Sequence, residues 1–409
     1  MTSLKKIRVE VLRPGMYLHG ICGSWLEHPY WRTSFLIEDG RQVRRLSDSG
    51  IREVWIDIAR GHDVDTPDTP TQPELQIESM LGTGDASPLV PVERISLAQE
   101  LAQAHVICGR SKAAVVAMFR DARLGKAIFA DQAAPVVDDI VASVLRHPGA
   151  LISLARLKFS DHDTFLHSVA VSALMVALGR QLGMDEDTLH EVGLGGLLHD
   201  IGKISLAPHI LTKPGRLEDA EFLAMQEHPA NGQRILLNDI DIGPVALDIC
   251  LHHHEKLDGS GYPKGLKGEQ ISIPARMSAV CDVYEAITAD RCYRAGWNPG
   301  EAVRKMQGWC PHHLDQRIFH AFVKTVGIYP IGALVRLRSE HLAVVVDQAE
   351  DSVLTPVVSV FFSIESRKQV PARRVELALG TDAIVSLEDP RDWRLRESDA
   401  IWRLVEGAP

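Results

Sequence analysis

The chain has few cysteines and no long apolar segment, and each shortage excludes a class of protein. No stretch of 18 apolar residues occurs, and no apolar run follows Lys5 and Lys6, so neither a membrane span nor a signal sequence is expected. The six cysteines form no CxxC pair and follow no regular spacing, which argues against a disulfide framework or a zinc knuckle. We therefore expect a cytoplasmic protein with reduced thiols and no membrane contact.

Positive charge is also scarce, since 44 Lys and Arg residues face 54 Asp and Glu residues, giving a formal net charge of -10. A protein that binds a nucleic acid polymer normally carries a basic excess along one face, so this function is disfavoured. Small anionic ligands are not excluded, because a few basic side chains can bind a phosphate within an acidic protein. A length of 409 residues predicts two or three domains.

The first 65 residues predict a small β-rich domain, because apolar and charged residues alternate in two short runs. The alternating apolar positions are Ile7, Val9 and Val11, and then Val54, Ile56 and Ile58. Pro14-Gly15 and Asp39-Gly40 are turn signals. Residues 66–92 are polar and rich in Pro, Thr and Gly, which predicts a linker.

Residues 93–330 predict an all-α domain, since apolar residues recur at helical spacing throughout. The first predicted helix has its apolar positions at Ile95, Ala98, Leu101, Ala102, His105 and Val106, and a later stripe runs from Leu166 to Leu178. Residues 331–409 contain two β-branched runs, ALVRLRSEHLAVVVD and TPVVSVFFSI, and predict a small β-containing extension. The expected fold is thus multidomain and mainly α.

The segment LLHDIGK, at the end of an apolar helical run, combines groups suited to metal and phosphate chemistry. His199 and Asp200 offer an imidazole and a carboxylate, and one carboxylate can bridge two neighbouring ions. Gly202 permits close approach of backbone or substrate, and Lys203 adds a positive charge for a phosphate. A His-Asp pair alone is weak evidence, as the isolated pair His62-Asp63 shows.

Further candidate ligands lie on successive predicted helices, and they are His167, His228, His253, His254 and Asp282. Taken singly, each is more often a packed or surface residue. Together they predict a two-metal site, which helical bundles can assemble from facing helices. A hydroxide bridging two ions would hydrolyse a phosphate ester. Histidine ligands favour iron or manganese over magnesium. Zinc stays open as an alternative, although the compact spacing usual for zinc sites is missing.

The motifs HDIGK, HHEKLDGSGYP and DVYEAIT with RCYR, between about Leu151 and Tyr329, resemble those of the HD-GYP phosphodiesterases. The β-rich start is similar to a small domain of unknown function often fused to that family. The resemblance implies an HD-type helical catalytic domain that opens cyclic di-GMP to pGpG, and in some members on to GMP. It also implies two divalent ions, iron or manganese, bound by His167, His199, Asp200, His228, His253, His254 and Asp282, with Asp200 bridging.

The resemblance implies further roles around this site. Lys203, Arg291 and Arg294 would contact the phosphates, with Asp200 and Lys203 as the catalytic pair. The loop Gly261, Tyr262 and Pro263 would take part in the site and in partner contacts, such as with a diguanylate cyclase domain. From the residues alone, GSGYP is adequately explained as a turn.

Three positions depart from the family pattern. Residue 292 is Cys where Pro is usual, and residue 285 is Glu where Asp is usual. Asp163 lies four residues before His167, so on a helix it would share a face with that residue and is a candidate ligand for a third metal. It is equally explained as a carboxylate at a helix start.

Two other functions stay open from the sequence. One is a general nucleotide phosphohydrolase, since many such enzymes share the His-Asp core. The other is a receptor or scaffold that binds cyclic di-GMP, or a cyclase, without hydrolysing the dinucleotide. A homodimer is a further expectation, which the sequence does not test.

Overall fold

The computed structural model describes residues 4–22, 35–37, 43, 53–57, 60–61, 95–124, 130–158, 164–213, 215–237, 242–289, 296–349, 352–390, 392–393 and 405. The chain divides into two compact units. The first contains a small N-terminal sheet. The second contains the helices from Leu97 onward, apart from residues 307–309, and a C-terminal sheet.

The N-terminal sheet consists of β1 (Leu4–Arg8), β2 (Tyr17–Cys22), β3 (Phe35–Leu36) and β4 (Glu53–Asp57), in the order β1-β4-β2-β3 with antiparallel pairing. Val54 and Ile56 of β4 are fully buried, as their alternation predicts. The alternation misplaces Val9 and Val11, because the chain leaves β1 after Arg8 and forms a 3-10 turn over Val9–Val11. Val9 is buried there, so this apolar residue belongs to the core although it does not lie in a strand.

Pro14 and Gly15 form a turn as expected. Asp39-Gly40, Ile58 and the predicted linker 66–92 lie outside the described residues. The domain boundaries at residues 65, 92 and 330 therefore stay predictions.

The described part of the second unit is mainly helical from Leu97 to Val326. Its helices are α1 (Leu97–Arg123), α2 (Ala130–Arg146), α3 (Pro148–Lys158), α4 (Thr164–Gln181), α5 (Glu186–Leu198), α6 (Pro208–Leu211), α7 (Asp219–Met225), α8 (His228–Leu236), α9 (Pro244–His252), α10 (Ile273–Thr288), α11 (Pro299–Gln307) and α12 (Gln316–Val326). Short 3-10 turns follow α5 at Ile201–Ser205 and precede α10 at Gly268–Gln270.

Helix α4 occupies the centre of this unit. Its apolar residues are buried on every side, including Val171, Met175 and Val176 outside the predicted stripe. A helix that is apolar all round is typical of a protein core. It packs against α2, α3, α5 and α10, and two of these, α5 and α10, lead to or carry candidate ligands.

Helix α1 begins at a capping box, in which Ser96 accepts from the Gln99 backbone N–H. The prediction of its apolar face is wrong, because the buried face is rotated around the helix axis relative to the predicted one. Val106 is 59% exposed, and the buried positions include Leu97, Ala104 and Cys108. Alanines at several angles around this helix make the direction of the apolar face ambiguous in the sequence.

The C-terminal sheet contains the two predicted β runs and two further strands. Its strands are β5 (Leu334–Leu337), β6 (His341–Asp347), β7 (Val357–Ser363), β8 (Lys368–Glu376) and β9 (Ile384–Leu387), in the order β8-β7-β6-β5-β9. Leu334, Leu342 and Val344 belong to the same apolar cluster as residues of α1 to α5. Among the described residues, none of the helices is both long enough and apolar enough to cross a bilayer.

Candidate metal centre

The seven candidate ligands proposed from the sequence come together in the helical unit. His167 lies in α4, His199 directly after α5, His228 at the first position of α8, and Asp282 in α10. Asp200 precedes the 3-10 turn Ile201–Ser205, and His253 and His254 follow α9. Asp163, Arg291 and Arg294 lie outside the described residues, so their predicted roles stay predictions.

Asp200 lies between two groups of histidines. Its Oδ2 atom is 3.6 Å from His167 Nε2 and 3.5 Å from His199 Nε2. Its Oδ1 atom is 3.2 Å from His228 Nε2 and 3.8 Å from His253 Nε2. Each oxygen of this one carboxylate therefore faces a different group.

The first group, called the Asp282 group here, consists of His167, His199 and Asp282. His167 Nε2 lies 3.2 Å from both His199 Nε2 and Asp282 Oδ1. The second, called the His254 group, consists of His228, His253 and His254, with His228 Nε2 and His253 Nε2 3.1 Å apart. Within each group one ligand atom per residue lies within 4.8 Å of the others, which is close enough to hold one ion.

Four of the imidazole rings are held by hydrogen bonds from Nδ1, so that Nε2 points into the centre. His199 donates to Gly196 O at 2.8 Å, His228 to Met225 O at 2.7 Å and His253 to Cys250 O at 2.9 Å. His167 donates to the carboxylate of Glu285. Such bonds fix the ring orientation and direct Nε2 toward a metal.

Close backbone packing brings the His-Asp turn to the start of α8. A β-carbon on Gly202 would overlap the carbonyl oxygen of His228 and would lie 2.5 Å from Gly232 N. On Gly232 it would lie 2.7 Å from Cys250 Sγ. The close approach expected of Gly202 is therefore backbone to backbone, and it helps to place Asp200 beside His228.

The loop Gly261–Pro263 lies directly against the ligand pair His253-His254. The Tyr262 ring packs on the His254 ring with centroids 4.7 Å apart, and Tyr262 N donates to His254 O at 3.2 Å. A β-carbon at Gly261 would lie 2.5 Å from Glu255 Cα and 2.6 Å from His254 O. The segment bends at this point, and its tyrosine ring lies against the rings of the candidate ligands His228 and His254.

Glu255 is a residue whose role the sequence reasoning missed. It is buried, and its carboxylate accepts hydrogen bonds from the backbone N–H groups of Lys264 at 2.7 Å and Leu266 at 2.9 Å. It therefore fixes the far end of the loop to the ligand pair. The sequence does contain a signal for this role. If His253 and His254 are ligands, their segment must be buried, and an acidic residue directly after them then needs hydrogen-bond partners.

His252 precedes the ligand pair, but its ring binds a carboxylate outside the two groups. Its Nδ1 pairs with Asp248 Oδ1 at 2.7 Å, and Asp248 also accepts from Ser272, the residue that caps α10. The network thus connects the end of α9 to the start of α10.

The electrostatics of the centre combine burial with close opposite charges. Burial lowers the pKa of His254 to about 3 and also depresses the pKa of His199 and of His253. Burial opposes protonation of His167 too, but the Glu285 and Asp282 carboxylates raise its pKa to about 10. Burial acts against ionisation of Asp200, yet Lys203 and the nearby histidines hold its pKa well below its usual range.

These residues fit divalent metal ions. Asp200 Oδ1 is buried and makes no hydrogen bond within the described part of the chain, although His228 Nε2 is 3.2 Å away. An ion would satisfy this oxygen and the inward Nε2 atoms together, and at His167 it would replace a proton. Lys203 contacts Asp200 Oδ2 from the partly exposed edge of the centre. A buried carboxylate shared by two imidazole-rich groups is typical of two-metal hydrolases.

Comparisons with known proteins place the chain in a family of phosphodiesterases. Residues 135–318 match the HD domain family, and residues 4–133 match a domain of unknown function, DUF3391. The chain is 50% identical over 402 residues to cyclic di-GMP phosphodiesterase PA4108 of Pseudomonas aeruginosa, covering 98% of this chain and 95% of that protein. The chain therefore belongs to the HD-GYP family of HD-domain phosphodiesterases.

Two other similarities are more partial. The 3'3'-cGAMP-specific phosphodiesterase 1 of Vibrio cholerae is 37% identical over 162 residues, covering 39% of this chain and 37% of that protein. The solved structure of Bd1817, an HDG"Y"P protein from Bdellovibrio bacteriovorus, covers 78% of this chain and 98% of that one, with 17% identity and a TM-score of 0.45.

Proposed function

We propose that this protein hydrolyses cyclic di-GMP to linear pGpG by means of two divalent ions bound around Asp200. The observation that carries the proposal is the position of Asp200, whose two carboxylate oxygens face two separate groups of potential ligands. The 50% identity to a cyclic di-GMP phosphodiesterase over nearly the whole chain supports the choice of substrate. In the reaction water adds across one P–O bond, so that each product end carries either a phosphate or a hydroxyl.

Each residue of the centre has a defined task in this proposal. His167, His199 and Asp282 would hold one ion, and His228, His253 and His254 the other, with Asp200 shared. When bound, two such ions supply a hydroxide nucleophile at neutral pH and stabilise the charge that develops on the phosphate. The low pKa values of His253 and His254 keep both rings neutral, so their lone pairs are available without loss of a proton.

Lys203 would orient the phosphate. Its ammonium group contacts Asp200, while its side chain is 27% exposed and so reaches the centre from the solvent side. A partly exposed cation beside the centre would attract an anionic ligand. Arg291 and Arg294 are proposed to contact the phosphates as well.

Several finer points belong to the same proposal. Imidazole-rich donors favour iron or manganese over magnesium. Further hydrolysis to GMP, a third ion at Asp163 and contact of Gly261–Pro263 with a cyclase domain are proposed on the family resemblance. A cytoplasmic location is proposed from the composition of the sequence, and a homodimer is proposed as well.

The decisive experiment is turnover by the full chain reconstituted anaerobically with Fe(II) or Mn(II). We would compare wild type with Asp200→Ala and His252→Ala, and measure metal content in all three. His252 is the matched control, because it adjoins the ligand pair but its ring binds Asp248 instead of the centre. We expect pGpG from wild type and from His252→Ala, and neither full metal content nor product from Asp200→Ala.

A panel of substrates separates the alternatives. Cyclic di-GMP, 3'3'-cGAMP and simple nucleotides would be offered to the same metal-loaded protein. Preferential cleavage of cyclic di-GMP supports the proposal, and equal cleavage of simple nucleotides would favour a general phosphohydrolase. Binding of cyclic di-GMP without turnover by fully metallated protein would favour the receptor function.

A further inference from the structure

The two groups around Asp200 differ in the acceptors to which the Nδ1 atoms of their histidines donate. His199, His228 and His253 donate from Nδ1 to neutral backbone carbonyl groups. His167 instead donates from Nδ1 to the carboxylate of Glu285. Of these four rings, His167 of the Asp282 group is therefore the one that donates from Nδ1 to a negatively charged group.

Helix α10 delivers both carboxylates to that ring. Asp282 Oδ1 lies 3.2 Å from His167 Nε2, and Glu285, three residues later on the same helix face, bonds Nδ1 on the opposite side of the ring. The Glu285 side chain is only 14% exposed, so its charge is weakly screened by solvent. His167 is thereby clamped between two residues of one helix.

A carboxylate behind an imidazole has two effects on a ligand. It fixes the ring orientation, and it raises the electron density on the distant nitrogen, which makes that nitrogen a better donor to a cation. The Asp282 group thus contains one carboxylate ligand, Asp282, and a second carboxylate, Glu285, that binds the ligand His167. The His254 group has three imidazoles, and the carboxylate it faces is the shared Asp200.

We infer that the two metal positions are unequal, that the Asp282 group binds a divalent ion first and more tightly, and that Glu285 is the positioning residue responsible. This inference rests on the proposed function, because it assumes that both groups bind metal. It goes beyond that function by assigning an order of filling and by giving Glu285 a role.

The inference is tested by titrating the metal-free full chain with Mn(II) alone under anaerobic conditions, with free Mn(II) quantified by electron paramagnetic resonance. We expect two distinguishable affinities in wild type. Glu285→Gln should weaken the tighter one by about 10- to 100-fold, the range typical for removal of such an outer partner, and leave the weaker one within about twofold. Asp248→Asn is the matched control, since it also converts a histidine-bound carboxylate to an amide, but a half-buried one at the non-ligand His252.

Each outcome has a distinct meaning. Absence of Mn(II) binding in folded wild type would overturn the inference, whereas the proposed function would be decided separately by turnover of the Fe(II)-loaded chain. Two equal affinities in wild type would overturn the inference without reference to any variant, and so would a Glu285→Gln protein that binds like wild type. Equal weakening in Asp248→Asn and Glu285→Gln would also overturn it, because a general loosening of the helices would then be the cause.

Discussion

The backbone of Gly202 lies against the backbone of His228 so closely that a β-carbon at residue 202 would overlap the His228 carbonyl oxygen. Gly202→Ala must therefore displace the His-Asp turn from α8. We expect a loss of about 1–3 kcal/mol in the free energy of unfolding, the usual cost of overpacking, together with a lower metal content. Urea unfolding and metal analysis measure the two effects.

The control for this prediction is Gly109→Ala in α1, where a β-carbon would meet open space. Alanine is favoured over glycine within a helix, so this variant should be more stable by about 0.5–1 kcal/mol. Opposite signs for the two variants are expected, and equal small effects would show that the packing at Gly202 is not tight.

Removal of metal should lower the melting temperature of the wild-type protein. A ligand at 100 times its dissociation constant stabilises a folded protein by about 2.7 kcal/mol if the unfolded chain does not bind it. Calorimetry with and without a chelator measures the shift. His252→Ala should keep the shift and Asp200→Ala should lose it, whereas a shift that survives in Asp200→Ala would place the stabilising ion elsewhere.

Glu255→Gln should loosen the loop that carries Tyr262. The glutamine amide has one oxygen that can accept a hydrogen bond, so one of the two backbone N–H groups loses its acceptor and faces the NH₂ group instead. The unsatisfied N–H should lower the stability of the folded protein by about 1–3 kcal/mol. Hydrogen exchange at the amides of Lys264 and Leu266 should become faster. Glu269→Gln, an exposed change in the 3-10 turn that follows this loop, should leave both rates unaltered; unaltered rates in Glu255→Gln would refute the role of Glu255.

Asp347 should make stability depend on pH in the acid range. Burial alone would raise its pKa, but hydrogen bonds from His147 and Arg374 lower the pKa overall. Because the folded pKa is below the unfolded value of about 3.9, the stabilisation is present above that value and is lost as pH falls through the folded pKa. Urea unfolding should show a wild-type advantage over Asp347→Asn at pH 7 that shrinks below about pH 4. A constant difference would contradict this origin.

Most of the candidate site could be predicted because its ligands occupy short, chemically unusual segments. His199-Asp200 and His253-His254 end apolar helical runs, so burial of these polar pairs needs a reason that a metal supplies. The structure brings both pairs together with His228. Their role as ligands stays a prediction until metal is measured.

The contacts behind the ligands could not be predicted from local pattern. Glu285 and His167 are 118 residues apart in sequence, and only the packing of α10 on α4 reveals that they are bonded. In the same way the face of α1 and the end of β1 at Arg8 are set by neighbouring elements. Sequence spacing gives the type of element more reliably than its rotation or its last residue.

The apolar cluster shared by the helices and the C-terminal sheet matters for how the protein can be produced. The match to the HD domain family ends at residue 318, before β5 begins at Leu334. A recombinant fragment cut there would expose partners of Leu334, Leu342 and Val344, each of which gains about 1.5–3 kcal/mol from burial. Such a fragment should be poorly soluble, and an inactive one would say nothing about the chemistry of the whole enzyme.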